Sequence, residues 1–299
     1  MSAIIIVLML GAQRSYFYWF GSGDKFVYFD NHLAVHFVDV RHGDCQIIQL
    51  PDGKIMVIDT GSERQWRRVN NYIQTRIKPR NNVIDYVIIT HPHEDHNGGL
   101  SNLKSKYTVR NFIDYNVMYD GKEISTSSYR VIFHAIPECL IFVDTNEWSP
   151  IITLEYSNKV FIFTGDAGFP TENLFMQSEI AQSIFGEREE PLKTYLSVGH
   201  HGSANSSSID FIAFVNPCYA VISVGTQFAT LPNDALVQRL ENNGIQVYST
   251  RDTGDFVVLA YGDNDTHFYG FTNPINLTFL WVVLLLLVFF GCFIVWSKR

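Results

Sequence analysis

Cysteine is scarce in this chain of 299 residues, which has only Cys45, Cys139, Cys218 and Cys292. No two of them lie at the spacing of a metal-binding pair, so a disulfide framework and a paired-thiolate metal site are both excluded. They read instead as small apolar residues, Cys292 within a hydrophobic run. Positive charge is also thin: 22 Lys and Arg stand against 30 Asp and Glu, a net charge of −8. There is no basic run, and Arg64, Arg67 and Arg68 form only a small cluster. A broad electrostatic footprint for nucleic acid is therefore absent. A phosphate-bearing substrate is not excluded, because bound metal ions can supply positive charge locally. The sequence contains neither a repeat of fixed period nor a low-complexity stretch.

Material for a core is plentiful, with 46% hydrophobic and 14% aromatic residues. Apolar runs rich in β-branched residues recur at 34–40, 45–50, 54–59, 83–90, 151–156, 160–164, 194–198, 219–224 and 256–261, and each predicts a strand. Pro51-Asp52-Gly53 is turn chemistry and joins the second and third as a hairpin. Helical spacing appears over 62–76, with Ser62 as candidate N-cap, and over 171–185, 206–215 and 233–242. Strands mixed with helices predict an α/β fold with packed layers and sheets in the middle, filling residues 32–272. Residues 107–141 yield no assignable elements.

The chemistry gathers at strand ends. After the run 83–90 comes His91-Pro92-His93-Glu94-Asp95-His96, followed by Gly98-Gly99. Three imidazoles and a carboxylate on one turn need a partner, and a divalent cation is the natural one. His91 and His93 suit one ion, Asp95 and His96 a second, with Zn²⁺ or Mn²⁺ matching nitrogen and oxygen donors. Asp59-Thr60-Gly61 ends another strand, where Asp59 can orient ligand imidazoles. Gly165-Asp166 ends a third, where Asp166 can bridge two ions. A fourth delivers Gly199-His200-His201-Gly202-Ser203. One of His200 and His201 can complete the second ion while the other moves a proton or positions substrate, and spacing does not say which. Ser203, Asn205 and Ser206 offer donors to phosphate oxygens, and a helix opening at 206–208 would favour an anion at its start. His42, beside Asp44, is a candidate substrate contact. His32, His36 and His267 read as strand or loop residues.

Taken together these motifs resemble the metallo-β-lactamase superfamily, and within it the β-lactamase-like domain of the ComEC/Rec2 competence proteins. The likeness extends to Asp39-Val40-Arg41-His42-Gly43-Asp44, Asn146-Glu147-Trp148-Ser149 and 220–225, covering nearly all of the domain. It implies an αββα four-layer sandwich with a metal site between the two sheets. It also implies a metal-dependent hydrolase that acts on phosphodiester bonds, nucleic acid being the favoured substrate class. Two departures stand out: Arg41 replaces a glycine of the family pattern, and no third histidine is evident for the first ion. Asn146 is a weaker candidate there, and His134 lies in a strand-like run. Hydrolysis of another ester, a lactam or a lipid, and metal binding without catalysis, are the competing readings.

The termini point to a membrane. Residues 277–296 are uncharged and long enough to cross a bilayer as a helix, with Trp281 and Trp296 near its ends. Ser297-Lys298-Arg299 follows, whereas 263–276 carries two Asp and no Lys or Arg. The positive-inside rule then predicts a single-pass protein with a cytosolic tail and an extracytoplasmic domain. Residues 1–31 form an N-terminal segment whose apolar stretch 3–10 fits the core of a short signal peptide, although no Lys or Arg precedes it.

Overall fold

The first half of the domain is built as β1 (Leu33–Phe37), β2 (Gln46–Gln49), β3 (Ile55–Ile58), α1 (Trp66–Tyr72), β4 (Val83–Ile89), α2 (Glu94–Asn97), α3 (Leu100–Lys106) and β5 (Thr108–Asp114). The second runs through β6 (Lys122–Ser125), β7 (Arg130–His134), β8 (Ile151–Tyr156), β9 (Lys159–Phe163), α4 (Phe169–Gln177), α5 (Glu179–Phe185), β10 (Lys193–Ser197), α6 (Ile209–Val215), β11 (Tyr219–Ile222), α7 (Asp234–Asn242) and β12 (Gln246–Ser249). After α8 (Thr250–Thr253), the hairpin β13 (Asp255–Ala260) and β14 (Thr266–Phe271) returns to the first sheet. This computed structural model describes residues 32–118, 120–135, 143–187, 191–262 and 266–271. The expected membrane helix over 277–296, its basic tail and the N-terminal segment 1–31 lie outside the described residues. Among the described residues no helix is long and apolar enough to cross a membrane.

Two seven-stranded sheets result, ordered β14-β13-β1-β2-β3-β4-β5 and β12-β11-β10-β9-β8-β7-β6. Each contains a hairpin followed by a parallel strand: β2–β3 then β4, and β8–β9 then β10. A parallel neighbour requires a crossover, and the helices supply it. Strand alternation then sorts side chains by layer. Val35, Phe37, Met56 and Ile58 of the first sheet meet Phe133, Leu154, Phe161 and Phe163 of the second in one buried cluster. Val160 and Ile162, one residue out of phase, pack outward against Phe175, Phe211 and Leu236 of the helices. On the opposite outer face Ile55 and Val57 pack with Val69, Tyr72 and Leu103. The layers are therefore helix, sheet, sheet, helix.

Several expected element bounds shift for local reasons. Ser62 makes no side-chain cap; the Glu94 carboxylate takes the Glu63 amide instead, and α1 starts only at Trp66. The stretch 171–185 divides at Ser178, whose hydroxyl accepts from the Ala181 amide and opens a second helix. The helix expected from 206 starts at Ile209, capped by Ser208. Residues 107–141 contain β5, β6 and β7; β5 and β6 are edge strands with largely exposed side chains.

At the start of β13, Asp255 accepts the Asp39 amide at 2.8 Å, and Arg68 donates to the Asp39 carboxylate at 2.9 Å. Burial, with Asp39 beside it, raises the Asp255 pKa to about 6. Its folded value thus lies above its unfolded one, so its stabilising contribution is complete below pH 4 and lost as pH rises through about 6. Asp255→Asn keeps the accepting oxygen without the charge. It is expected to unfold at higher denaturant than the parent at pH 8, with the two curves converging below pH 4. A constant difference across that range would contradict the assignment.

Candidate metal centre

Four loops leave the C-terminal ends of β3, β4, β9 and β10 and meet at one lip of the sandwich. Their central group is Asp166, 2% exposed. Its Oδ2 faces His91 Nε2 at 3.6 Å, and its Oδ1 faces His96 Nε2 at 3.1 Å and His201 Nε2 at 3.5 Å. One carboxylate thus addresses two cradles, His91–His93–Asp166 and His96–Asp166–His201, each with donor atoms within 4.8 Å of one another. Asp95 joins the second, with Oδ2 3.3 Å from His201 Nε2.

The imidazoles are oriented from behind. Asp59, fully buried at a left-handed φ of 56°, accepts from the Thr90 amide at 2.8 Å and the Thr90 hydroxyl at 2.7 Å, and lies 2.7 Å from His96 Nδ1. Thr90, having given its proton to Asp59, can only accept from His91 Nδ1 at 3.1 Å; Ser149 is 3.2 Å from the same nitrogen. His201 Nδ1 donates to the Ser223 carbonyl at 3.0 Å. In all three rings Nδ1 points outward to a fixed partner and Nε2 points in, the orientation a metal ligand requires. His93 differs: its Nε2 contacts Thr145 at 2.8 Å, which leaves Nδ1 for the cradle.

A divalent cation fits this donor set. His91 Nε2 and Asn146 Oδ1 are buried without a hydrogen-bond partner, a costly arrangement unless a cation balances it. Among the described residues no third imidazole joins the first cradle. Asn146 sits in the turn Thr145–Trp148, next to the residues that touch His93 and His91. His134 lies elsewhere, 3.0 Å from Thr153 and packed on Phe175. Charges are polarised accordingly. Burial opposes a proton on His201, but Asp166 and Asp95 outweigh it and raise the pKa to about 9. His96 rises likewise, through Asp166 and Asp59. Burial pushes His91 down to about 3. Asp95 and Asp166 are held well below the usual carboxylate range, burial being overcome by His201 and His96 in turn.

The other candidate residues take different places. His200 is half-exposed with Nε2 3.9 Å from Asp166 Oδ2, outside the cradles that hold His201. His42 contacts Asp95 Oδ2 at 3.2 Å, near enough to form a further group with Asp95 and His201. Asp44 is buried, 3.9 Å from His201, and burial raises its pKa to about 6. Ser203 and Asn205 lie at the surface, but Ser206 is fully buried and its hydroxyl ties Gly199 to Ser203. The anion expected at the start of α6 is the protein's own: Glu172 accepts from the Ser207 and Ser208 amides. Thr145 and Ser223 were not foreseen, since a lone hydroxyl or carbonyl has no spacing signature.

Glycine sets the approach of these loops. Gly43 has φ +112°, and a Cβ there would lie 2.1 Å from the Asp95 carbonyl. A Cβ at Gly99 would lie 2.5 Å from the Thr60 carbonyl.

Comparison with known proteins agrees with this geometry. The family described as the metallo-beta-lactamase superfamily matches residues 38–225. ComE operon protein 3 of Bacillus subtilis (strain 168) is 24% identical over 258 residues, covering 74% of this chain and 32% of that protein. Recombination protein 2 of Haemophilus influenzae (strain Rd) is 26% identical over 240 residues, covering 76% and 29%. The chain thus spans about a third of the length of these relatives. The metallo-beta-lactamase fold protein YhfI from Bacillus subtilis superposes with a TM-score of 0.50 at 11% identity, covering 77% of this chain and all of that one, a likeness of fold.

Two outcomes follow from the geometry. Cations must displace the protons on His201 and His96, so affinity for Zn²⁺ or Mn²⁺ is expected to rise from pH 6 to about 9, by about tenfold per pH unit for each proton displaced. Calorimetric titrations across that range, run in two buffers to count released protons, would contradict this by showing a flat profile. Gly43→Ala is expected to push the Asp95 loop outward and lower the bound-metal stoichiometry, measured by plasma mass spectrometry, while the circular dichroism spectrum stays unchanged.

Proposed function

The chain belongs to the metallo-beta-lactamase superfamily, and from that premise we propose that it is a metal-dependent hydrolase of phosphodiester bonds, with nucleic acid as the substrate class. The observation that carries this reading is Asp166, whose two oxygens face separate imidazole cradles. A carboxylate so placed would hold two divalent cations near one another, an arrangement suited to in-line displacement at phosphorus. When bound, such cations lower the pKa of water and polarise the phosphoryl oxygen.

The remaining steps fall to the chain's own groups. Asp95 is ionised and anchored by His201 and His42, so its carboxylate can accept a hydrogen bond from the attacking water and set its direction. His200 stands outside the cradles, within reach of solvent, where it can hand a proton to the departing oxygen. Asp59 keeps the His96 ring from turning. The deep burial of His91, His96, Asp166 and His201 excludes bulk water from the donors. Nucleic acid is favoured because one relative is named for recombination. We place the domain on a membrane through the apolar segment 277–296, outside the cytosol.

The test compares full-length protein on bis(4-nitrophenyl) phosphate, single-stranded and duplex DNA, RNA, a lactam and a carboxylic ester, with and without Mn²⁺ or Zn²⁺. Turnover confined to the phosphodiesters and reduced at least about a hundredfold in Asp95→Ala is expected. His200→Ala is expected to lower kcat while bound metal is unchanged. Turnover of the lactam or ester alone would refute the phosphodiester assignment.

A further inference from the structure

Among the described residues, Phe112, Trp148 and Phe228 are aromatic side chains left substantially exposed. The Lys104 ammonium covers the Phe112 ring at 3.3 Å. The other two lie on segments that also carry contacts to the metal centre. Phe228, 40% exposed, lies 3.9 Å from the His42 imidazole with the planes inclined by 31°. His42 in turn contacts Asp95, and its ring is 4.4 Å from that of His201, at the second cradle. Trp148, 38% exposed, belongs to the turn beside the first cradle and pairs with Tyr115 at 5.9 Å.

Phe228 is held in place although its loop has no regular structure. Arg251 donates to the carbonyls of Gly225, Phe228 (2.8 Å) and Leu231. The other member of the pair, His42, is positioned by Asp95, whose Oδ2 lies 3.2 Å from its Nε2. The Phe228 ring packs on an imidazole beside Asp95 and His201 rather than in a core, so it is placed to meet whatever approaches the second cradle. The chain carries no basic run to grip a phosphate backbone. Aromatic faces stack unstacked bases whatever their identity, and in place of a basic groove the backbone phosphates would be met by cations held in the cradles.

We propose that His42 and Phe228 form a platform that stacks a base of single-stranded nucleic acid beside the second cradle, with Trp148 receiving a further base at the turn that carries Thr145. This deepens the phosphodiesterase reading and rests on it. Duplex DNA, whose bases are already stacked, would not fit the platform.

The test measures binding, not turnover. Full-length protein in Mn²⁺ is titrated into fluorescein-labelled oligothymidylate and into an abasic strand of equal length, both with phosphorothioate linkages that resist cleavage. The thymidylate is expected to bind more tightly than the abasic strand. Phe228→Ala is expected to weaken thymidylate binding about tenfold and leave the abasic strand unchanged, and Phe228→Trp to restore it. Trp148→Ala should act in the same base-dependent way. Equal affinity for the two strands, or equal losses on both, would overturn the platform. Turnover of bis(4-nitrophenyl) phosphate is recorded in parallel. Turnover without base-dependent binding removes the platform and leaves the hydrolase, whereas base-dependent binding without turnover removes the phosphodiesterase and leaves the platform.

Discussion

Buried charge is the constraint on which this structure turns. Asp59, Asp166, His91, His96 and His201 are each 2% exposed or less, and they lie within a few ångströms of one another. Unpaired carboxylates and imidazolium groups cannot persist at such depth. The protein answers with an outer ring of fixed partners: Thr90, Ser149, Ser223 and Asp59 occupy the outward nitrogens. Every inward nitrogen is thereby committed to the middle. Protons shared between His96, His201 and the carboxylates balance the cluster when no cation is bound, and a cation can take their place. A bound cation would exchange those protons for metal charge.

That assembly carries backbone strain. Arg41, Asp59, His200 and His201 all sit at left-handed φ values between 48° and 68°, each on a loop of the centre. Side chains with a Cβ pay roughly 1 kcal/mol or more for that conformation. At His200–His201 the strain has a visible purpose. The chain turns so sharply that consecutive histidines diverge, His201 into the second cradle and His200 toward solvent. The turn is held by the His200 amide on the Gly165 carbonyl and by the buried Ser206 hydroxyl. Ser206 therefore acts on substrate only through the shape of this loop.

Legibility of the sequence follows the same physics. Strands buried on both faces, such as β3 and β9, announce themselves as unbroken apolar runs, and the expected bounds differ from theirs by a residue or so. The strands left unplaced include all four sheet edges, β5, β6, β12 and β14. An edge strand has one face or one side in solvent, so its residues mix polar and apolar without a clean period; β6 reads Lys122-Glu123-Ile124-Ser125. The dense histidine and aspartate spacings of the site were readable because few other demands produce them. The choice between His200 and His201 was not, because it depends on φ. The Glu172 carboxylate at the start of α6 was not readable either: sequence showed an anion site, and only tertiary structure shows it filled from α4.

The two cradles are unequal, and the inequality has chemical content. The second collects Asp95, His96, His201 and Asp166, two carboxylates and two imidazoles whose orientations are all fixed. The first has His91, His93 and one oxygen of Asp166, with the neutral amide of Asn146 beside it in place of a third imidazole. A neutral amide oxygen attracts a cation less than an imidazole does and shifts preference toward harder, oxygen-seeking ions. The first cradle would therefore hold a cation less tightly than the second.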